Sequence, residues 1–390
     1  MPRKIGILTW FRSTNPGAVL QAYSQAVSLQ RRLPNYHVRL VDLSSNRRGA
    51  FRRIASEILG LRVRSLRERR HYSRAVARHL PVDPNPIPDL AIDQMISELD
   101  DRFDALVVGS DELWKTISSQ SEDPFPNPFF LPGHMACKKI ALAVSANTCS
   151  LSDIPDERIT IATKLVSDFA FLGVRDDHTR MLLQKIGIPE GRIEKVPDPT
   201  FTFNPPLDRT SEVGRILRRH GILGRKPLVG VYGYFNSPTL LNHVRSVIRT
   251  LEGNGWDSVS LKYNQNTSEA SLHGELDPFT WAATFEKLDL CITNTFHGTI
   301  FSIRAGTPVL AIEEGDYYSE NKGKIANLLE DTDMRIAYYR FCETDPVQEL
   351  LGRALAAKDE WNEKDTLKVM ESMGDEYREK LEMVVDILNG

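Results

Sequence analysis

The sequence predicts an α/β protein of two domains, closed by a terminal helix that packs back onto the first. Three observations carry this. Apolar runs of strand length alternate with segments whose apolar residues recur at helical spacing. The 390 residues exceed what one ordinary core organises. A proline-rich stretch at 197–206 separates two such alternating series and reads as the hinge between domains. The expected units are an N-terminal domain at 1–203, a C-terminal domain at 204–360 and a helix at 361–390.

Residues 4–9 read as the first strand. Residues 17–33 follow as a helix, because Val19, Ala22, Tyr23, Ala26, Leu29 and Leu33 recur at helical spacing and Pro34 and Asn35 end it. Residues 38–43 are the second strand, which makes the opening a βαβ unit. A buried strand at 105–108 ends in Gly109, and another at 139–144 ends in a polar turn. Helices at 154–168 and 176–187 flank a strand at 169–174. Beyond the prolines, strands are predicted at 228–232, 258–262, 288–293 and 309–312, with helices at 238–253, 278–287 and 298–305. Residues 362–390 carry Leu367, Met370, Tyr377, Leu381, Val384 and Leu388 at roughly helical spacing, so they form an amphipathic helix with one face to bury.

Composition narrows the function classes. The formal charge of -3 on the whole chain gives no reason to expect nucleic acid as a partner. No apolar run approaches the roughly 18 residues of a membrane helix, and IGILTW near the N-terminus is too short for a signal core. Cys137, Cys149, Cys291 and Cys342 are far apart, without metal-ligand spacing. A cytoplasmic protein with reduced, packing thiols and neither metal nor cofactor is the expectation. One stretch departs from this balance. Residues 47–78 hold eleven arginines against Glu57 and Glu68, a local charge of about +9 on a helix-prone insertion at about 47–80. It is either a solvated helix with its apolar side packed on the domain, or a surface for an anionic lipid headgroup, a polyanionic glycan or a lipid-diphosphate-linked acceptor. The second reading adds peripheral contact with the inner face of a membrane.

In open α/β sheets, ligands bind beyond the carboxyl ends of strands, where helix N-termini present free amides. The residues after each strand are therefore the candidates. After the first strand, Asn15 reads as a cap and Gly17 opens the helix, as an ordinary turn or as a loop that meets a ligand backbone-first. After 105–108 comes GSDELW, in which Ser110 or Asp111 caps a turn or contacts a ligand, and Trp114 covers the site or fills the core. Arg175 follows 169–174 and offers a planar fork to phosphate or carboxylate, unless it pairs with Asp176 and Asp177. The strongest signal is LDLCITNTFHGTIFSIRAGTPVLAI at 288–312. There a strand ends at Asn294, and His297 stands at a helix N-terminus whose amides at Gly298, Thr299 and Ile300 are predicted to bind an anion. Histidine is the side chain that exchanges protons near neutral pH. Lys324 opens the helix after the acidic loop EEGDYYSENKGKI, where a lysine neutralises a bound phosphate.

Taken in order, these segments resemble the polysaccharide pyruvyl transferase family. The resemblance rests on NPGAVLQAY at 15–23, GSDELW at 109–114, VRD at 174–176, DPTF at 198–201 and TFHGTIF at 295–301, and spans roughly residues 5–330. Pro16 stands where an aromatic is common and Glu112 where glutamine is common. The resemblance implies a GT-B-like fold of two Rossmann-like domains facing across a cleft. It implies transfer of a pyruvate unit from phosphoenolpyruvate to a sugar diol of a glycan, an exopolysaccharide or a lipid-linked sugar, with release of phosphate. The family's strand-end arginine falls on Arg175, its F-H-G histidine on His297, and its later basic residue on Lys324, with Lys322 as the competing position. His297, Arg175 and Lys324 are thus the expected catalytic residues. Arg175, Asn294, Gly298, Thr299 and Lys324 are expected to hold the donor on the C-terminal side. Asn15, Gly17, Gln21, Ser110 and Asp111 are expected to face the acceptor on the N-terminal side. The alternatives are a nucleotide-sugar glycosyltransferase with Glu313 and Glu314 on the ribose, or a non-catalytic glycan-assembly subunit.

Overall fold

The computed structural model describes residues 2–43, 63–88, 90–119, 121, 124–147, 149, 151–263, 265–314 and 323–390. Within these, the N-terminal half runs β1 (Arg3–Leu8), α1 (Pro16–Arg32), β2 (Tyr36–Leu40), α2 (Val63–His79), α3 (Ile92–Arg102), β3 (Ala105–Val108) and β4 (Lys138–Val144). It continues with α4 (Asp156–Ser167), β5 (Phe171–Val174), α5 (Asp177–Lys185) and β6 (Ile193–Lys195). The C-terminal half runs α6 (Thr210–Arg219), β7 (Leu228–Tyr232), α7 (Pro238–Gly253), β8 (Asp257–Ser260), β9 (Ala270–Ser271), α8 (Pro278–Thr284) and β10 (Leu290–Thr293). Then come α9 (Phe296–Ala305), β11 (Val309–Glu314), α10 (Lys324–Asp331), β12 (Tyr338–Phe341), α11 (Val347–Asp359) and α12 (Glu363–Asn389).

Each half is a parallel sheet of six described strands, ordered β2-β1-β3-β4-β5-β6 and β12-β11-β10-β7-β8-β9. Apolar strands such as β3, β5, β7 and β10 are buried throughout, as parallel strands covered on both faces must be. Both orders reverse direction once, between β1 and β3 and between β7 and β10. At such a switch point neighbouring connections leave on opposite faces and open a crevice beyond the strand ends. The loops singled out from sequence, at 9–17, at 109–114 and at 294–298, all leave strands that border these two crevices. The architecture is that of two GT-B-like domains.

Several elements lie outside the sequence-based expectation, namely α3, β6, α6, β9, β12 and α11. The strand expected at 169–174 begins at Phe171, because the Phe169 amide still turns back onto Val166 O at 3.1 Å at the end of α4, and Ala170 N makes the first bond to β4, on Lys139 O at 2.8 Å. Residues 197–206, expected as the hinge, form a packed connection. Pro199–Thr202 is a buried 3-10 turn, Phe201 and Phe203 lie in the core, and Arg304 of α9 donates to the carbonyls of Thr200, Phe201 and Phe203 at 3.1, 3.0 and 2.5 Å. The terminal helix α12 does return to the first domain. It buries Tyr377, Leu381, Val384 and Leu388. Its last carbonyls accept from Tyr36 Oη, at 2.8 Å on Leu388, and from Lys138 Nζ, at 2.6 Å on Ile387. Of the arginine-rich stretch, residues 47–62 lie outside the described residues, as does Lys322. Among the described residues no helix is long and apolar enough to cross a membrane.

Candidate active site

β5 delivers Arg175 to the crevice edge, and its amide continues the ladder onto Val144 O at 3.0 Å. The side chain turns inward and is 3% exposed. It does not pair with its own aspartates. Asp176 caps α5 by accepting from Thr179 N and Oγ1, both at 2.7 Å, and Asp177 accepts from Lys195 at 2.8 Å. Arg175 Nη1 instead lies 3.0 Å from Asp198 Oδ2, and its guanidinium sits 4.7 Å from the centre of the Phe296 ring. Asp198 went unnoticed as a site residue, although it begins the DPTF motif. An Asp-Pro-Thr sequence closes a capped turn, and here Asp198 Oδ1 accepts from Thr200 N at 2.9 Å and Oγ1 at 2.6 Å. That fixes the carboxylate and aims Oδ2 at Arg175 and His297. Burial alone would raise the Asp198 pKa. His297, Arg175 and Thr200 outweigh it and hold the carboxyl well below the usual carboxylate range.

His297 arrives from the other domain. Thr295 is the N-cap of α9, accepting from Gly298 N at 3.1 Å, and the helix starts at Phe296. His297 is therefore the second residue of the first turn. Its Nε2 faces Asp198 Oδ2 at 3.7 Å, beyond hydrogen-bond reach, and neither that nitrogen nor Arg175 Nε has a hydrogen-bond partner among the described residues. On its other side, Gly17 of α1 packs against the ring. A Cβ at position 17 would stand 2.1 Å from His297 Nδ1, so only glycine lets the two helix ends meet. The N-terminal loop, expected to face the acceptor, thus also walls His297.

Other expectations are corrected. The amides of Gly298 and Thr299 do not offer an anion site, because they donate to Thr295 Oγ1 and Thr295 O, and the Thr299 hydroxyl also returns to Thr295 O at 3.0 Å. Ser110 and Gln21 are fully buried and satisfy each other. Gln21 Nε2 donates to Ser110 O at 3.2 Å, Ser110 Oγ donates to Gln21 Oε1 at 3.3 Å, and Ser110 N donates to Gln25 Oε1 at 2.7 Å. They clamp α1 to the β3 loop and support Arg175, which reaches Gln21 Oε1 at 3.5 Å. Trp114 fills the core, with its Nε1 donating to Phe129 O at 3.0 Å. Asn15 is an exposed cap on Gly17 N at 3.0 Å. Asn294 donates to Tyr234 O at 2.8 Å, while its Oδ1 is buried without a partner among the described residues. Burial raises the pKa of Asp111, against the pull of Arg175.

Lys324 opens α10 and forms an ion pair with Glu112. Burial would raise the Glu112 pKa, but Lys324 prevails and lowers it. One of the two acids that a ribose-binding reading names is engaged elsewhere. Glu313 is 3% exposed, accepts from Ile325 N at 3.0 Å and Tyr338 Oη at 3.1 Å, and so anchors the helix that carries Lys324. Arg175, Asp198, Phe296 and Lys324 share a pocket of about 180 Å³ with Lys195 and Asp331. Lys195 bridges Asp177 and Asp331 at 2.8 and 2.7 Å and ties the two domains at the wall of that pocket.

Comparison with known proteins agrees with this architecture. A family model described as polysaccharide pyruvyl transferase matches residues 15–316. No curated protein matches. Among solved structures, Anabaena Alr3699/HepE in complex with UDP and glucose is similar over 99% of both chains, at 10% identity and a TM-score of 0.55. The S. aureus MnaA-UDP structure matches 99% of this chain and 95% of its own, at 10% identity and a TM-score of 0.53. The UDP-GlcNAc 2-epimerase of Neisseria meningitidis matches 99% of both chains, at 8% identity and a TM-score of 0.52. At these identities the likeness concerns the fold.

Proposed function

The chain belongs to the polysaccharide pyruvyl transferase family, and from that premise we propose that it moves a pyruvate unit from phosphoenolpyruvate onto a sugar diol of a glycan or glycoconjugate. The product is a pyruvate ketal, and phosphate is released. The observation that supports this most is the convergence of Arg175, Asp198 and His297 from two domains, with Nε of Arg175 and Nε2 of His297 buried and unpartnered among the described residues. Buried donors of this kind are normally satisfied, and those left over mark where a ligand supplies the acceptor.

Phosphoenolpyruvate carries a phosphate and a carboxylate, so its site needs fixed cations. Arg175 and Lys324, one from each domain, supply them on the shared pocket. The donor therefore lies between the domains. In the reaction, one sugar hydroxyl oxygen bonds to C2 of the donor while C3 takes a proton and becomes a methyl group. The C2–O bond to phosphate then breaks, and the second hydroxyl closes the ketal. Of the two hydroxyl protons, one ends on C3 and the other on the released phosphate. We assign their transfer to His297, which faces Asp198 on the wall of that pocket. Asp198, held ionised by His297 and Arg175, faces the imidazole at 3.7 Å and orients it toward the reacting atoms.

The test is phosphate release from phosphoenolpyruvate with a panel of glycan acceptors, paired with detection of the ketal by mass. His297→Ala should lower turnover by about 100-fold or more while leaving phosphoenolpyruvate affinity within a few-fold. Unchanged turnover in that variant would remove His297 from the reaction.

A further inference from the structure

The arginine-rich helix α2 plays no part in that chemistry, yet it reaches the same interdomain space. Its buried stripe is Glu68, Tyr72, Ala75 and Val76, at helical spacing. His79, one turn on, packs edge to face on Phe279 of α8 at 4.8 Å. Arg67, Arg70, Arg74 and Arg78 are exposed on the same helix. Glu68 is the only acid in its sequence, and it is spent on the C-terminal domain. Glu68 Oε1 lies 3.2 Å from Lys262 Nζ, and Oε2 lies 3.7 Å from His273 Nε2.

Lys262 follows β8 and is 8% exposed, at the carboxyl edge of the sheet where this fold takes ligands. Its ammonium also donates to the carbonyl of Thr14. The rings of Tyr72 and Tyr263 flank it at 5.3 and 5.6 Å. Thr14 belongs to the loop whose Gly17 walls His297, so the cluster adjoins the site along one short segment. Burial lowers the Lys262 pKa. Burial would raise that of Glu68, but His273 and Lys262 bring it down. A lysine and a histidine thus share one carboxylate borrowed from a helix that is otherwise basic.

We propose that Lys262 and His273 form a second anion site, which takes a phosphate ester or diphosphate borne by the sugar acceptor, and that Glu68 is the resident counter-ion it displaces. The inference rests on the reading of the chain as a transferase with a sugar acceptor. A diphosphate brings more negative charge than one carboxylate and gains further from the arginines flanking Glu68. The buried ring of Tyr72 and the half-buried ring of Tyr263 limit access of water and strengthen that attraction.

Inorganic pyrophosphate titrated into the full chain by calorimetry, beside phosphoenolpyruvate, tests the site. Glu68→Gln should bind pyrophosphate about tenfold more tightly than the unaltered chain, because a competing charge is gone. Lys262→Met in the Glu68→Gln background should erase the gain, and Lys262→Arg should retain most of it. The arginine variant also serves where the methionine variant does not fold. UDP and geranyl diphosphate then separate a nucleotide carrier from a lipid carrier. Binding of either supports the site, and binding of neither overturns it. A cluster that merely braces the domains predicts a lower Tm for Glu68→Gln with no gain in pyrophosphate affinity, and that result overturns the proposal. Failure of the unaltered chain to bind phosphoenolpyruvate would instead remove the donor assignment at Arg175 and Lys324.

Discussion

Two clusters between the domains set a cation and a histidine against one buried carboxylate, and they differ in how that carboxylate is held. Asp198 sits on a short side chain in a closed turn, with one oxygen tied twice to Thr200 and the other beside Arg175. Glu68 reaches Lys262 and His273 from a helix on a longer side chain. The first arrangement is preorganised, which is what charge stabilisation during a reaction requires. The second can exchange its anion. The cations differ in the same sense. A guanidinium keeps its proton under all ordinary conditions, whereas a buried ammonium can give it up.

The largest expected effect breaks the first cluster. Asp198→Ala leaves the buried Arg175 charge uncompensated and should cost about 3–5 kcal/mol of stability. Glu68→Ala leaves Lys262, which burial already pulls toward its neutral form, and should cost about 1–3 kcal/mol. Urea denaturation of both variants measures the gap, and equal costs would erase the distinction. The pH dependence follows with a definite sign. The Asp198 carboxyl titrates below its unfolded value of about 3.9, so its contribution is fully present above that pH and is lost as pH falls further. The acid limb of stability should therefore be shallower in Asp198→Ala than in the unaltered chain.

Next in size is the contact that joins the first cluster to the N-terminal loop. Gly17→Ala puts a methyl into the His297 ring, which must move. Displacement of a reacting group by about 1 Å costs on the order of 100-fold in turnover, and the overpacking costs about 1–3 kcal/mol. Phosphate release and thermal melts measured together separate the two. Loss of stability with intact turnover would make Gly17 a packing residue alone.

The same contrast explains what the residues disclose in order along the chain. Strands such as β3, β7 and β10 are legible because parallel, doubly covered strands must be apolar throughout, and their ends mark the crevices by topology. His297 and Arg175 stand next to such ends and were found for that reason. Asp198 was not, because its partners lie across a chain reversal and in another domain, and its own motif reads locally as a turn. The anion site expected at Gly298 and Thr299 failed by register, since Thr295 caps the helix two residues earlier than the apolar spacing suggested. Ser110 and Gln21 read as polar residues facing a cleft. Only the fold reveals that they are paired with each other at no exposure. The short strands β6, β9 and β12 carry too few residues, or too many polar ones, for a periodic signal.

The smallest effect on stability should come from a partly solvated ion pair of the site, Lys324 with Glu112, whose side chains are 28% and 22% exposed. Water and salt screen such pairs, so Lys324→Met should change stability by less than about 1 kcal/mol. If Lys324 holds the donor, the same variant should raise the KM for phosphoenolpyruvate about tenfold, because the anion loses a charged hydrogen bond that Asp198 and Arg175 do not replace. Glu112→Gln should move KM the other way, since it frees the lysine from its resident carboxylate. Both shifts should shrink at high ionic strength, where the Debye length falls to about 3 Å at 1 M salt. A lysine that only braces α10 against the β3 loop would produce neither shift, and Glu112→Gln would then resemble Lys324→Met. Opposite signs in KM with matching stabilities are what distinguish a ligand-holding charge from a strut.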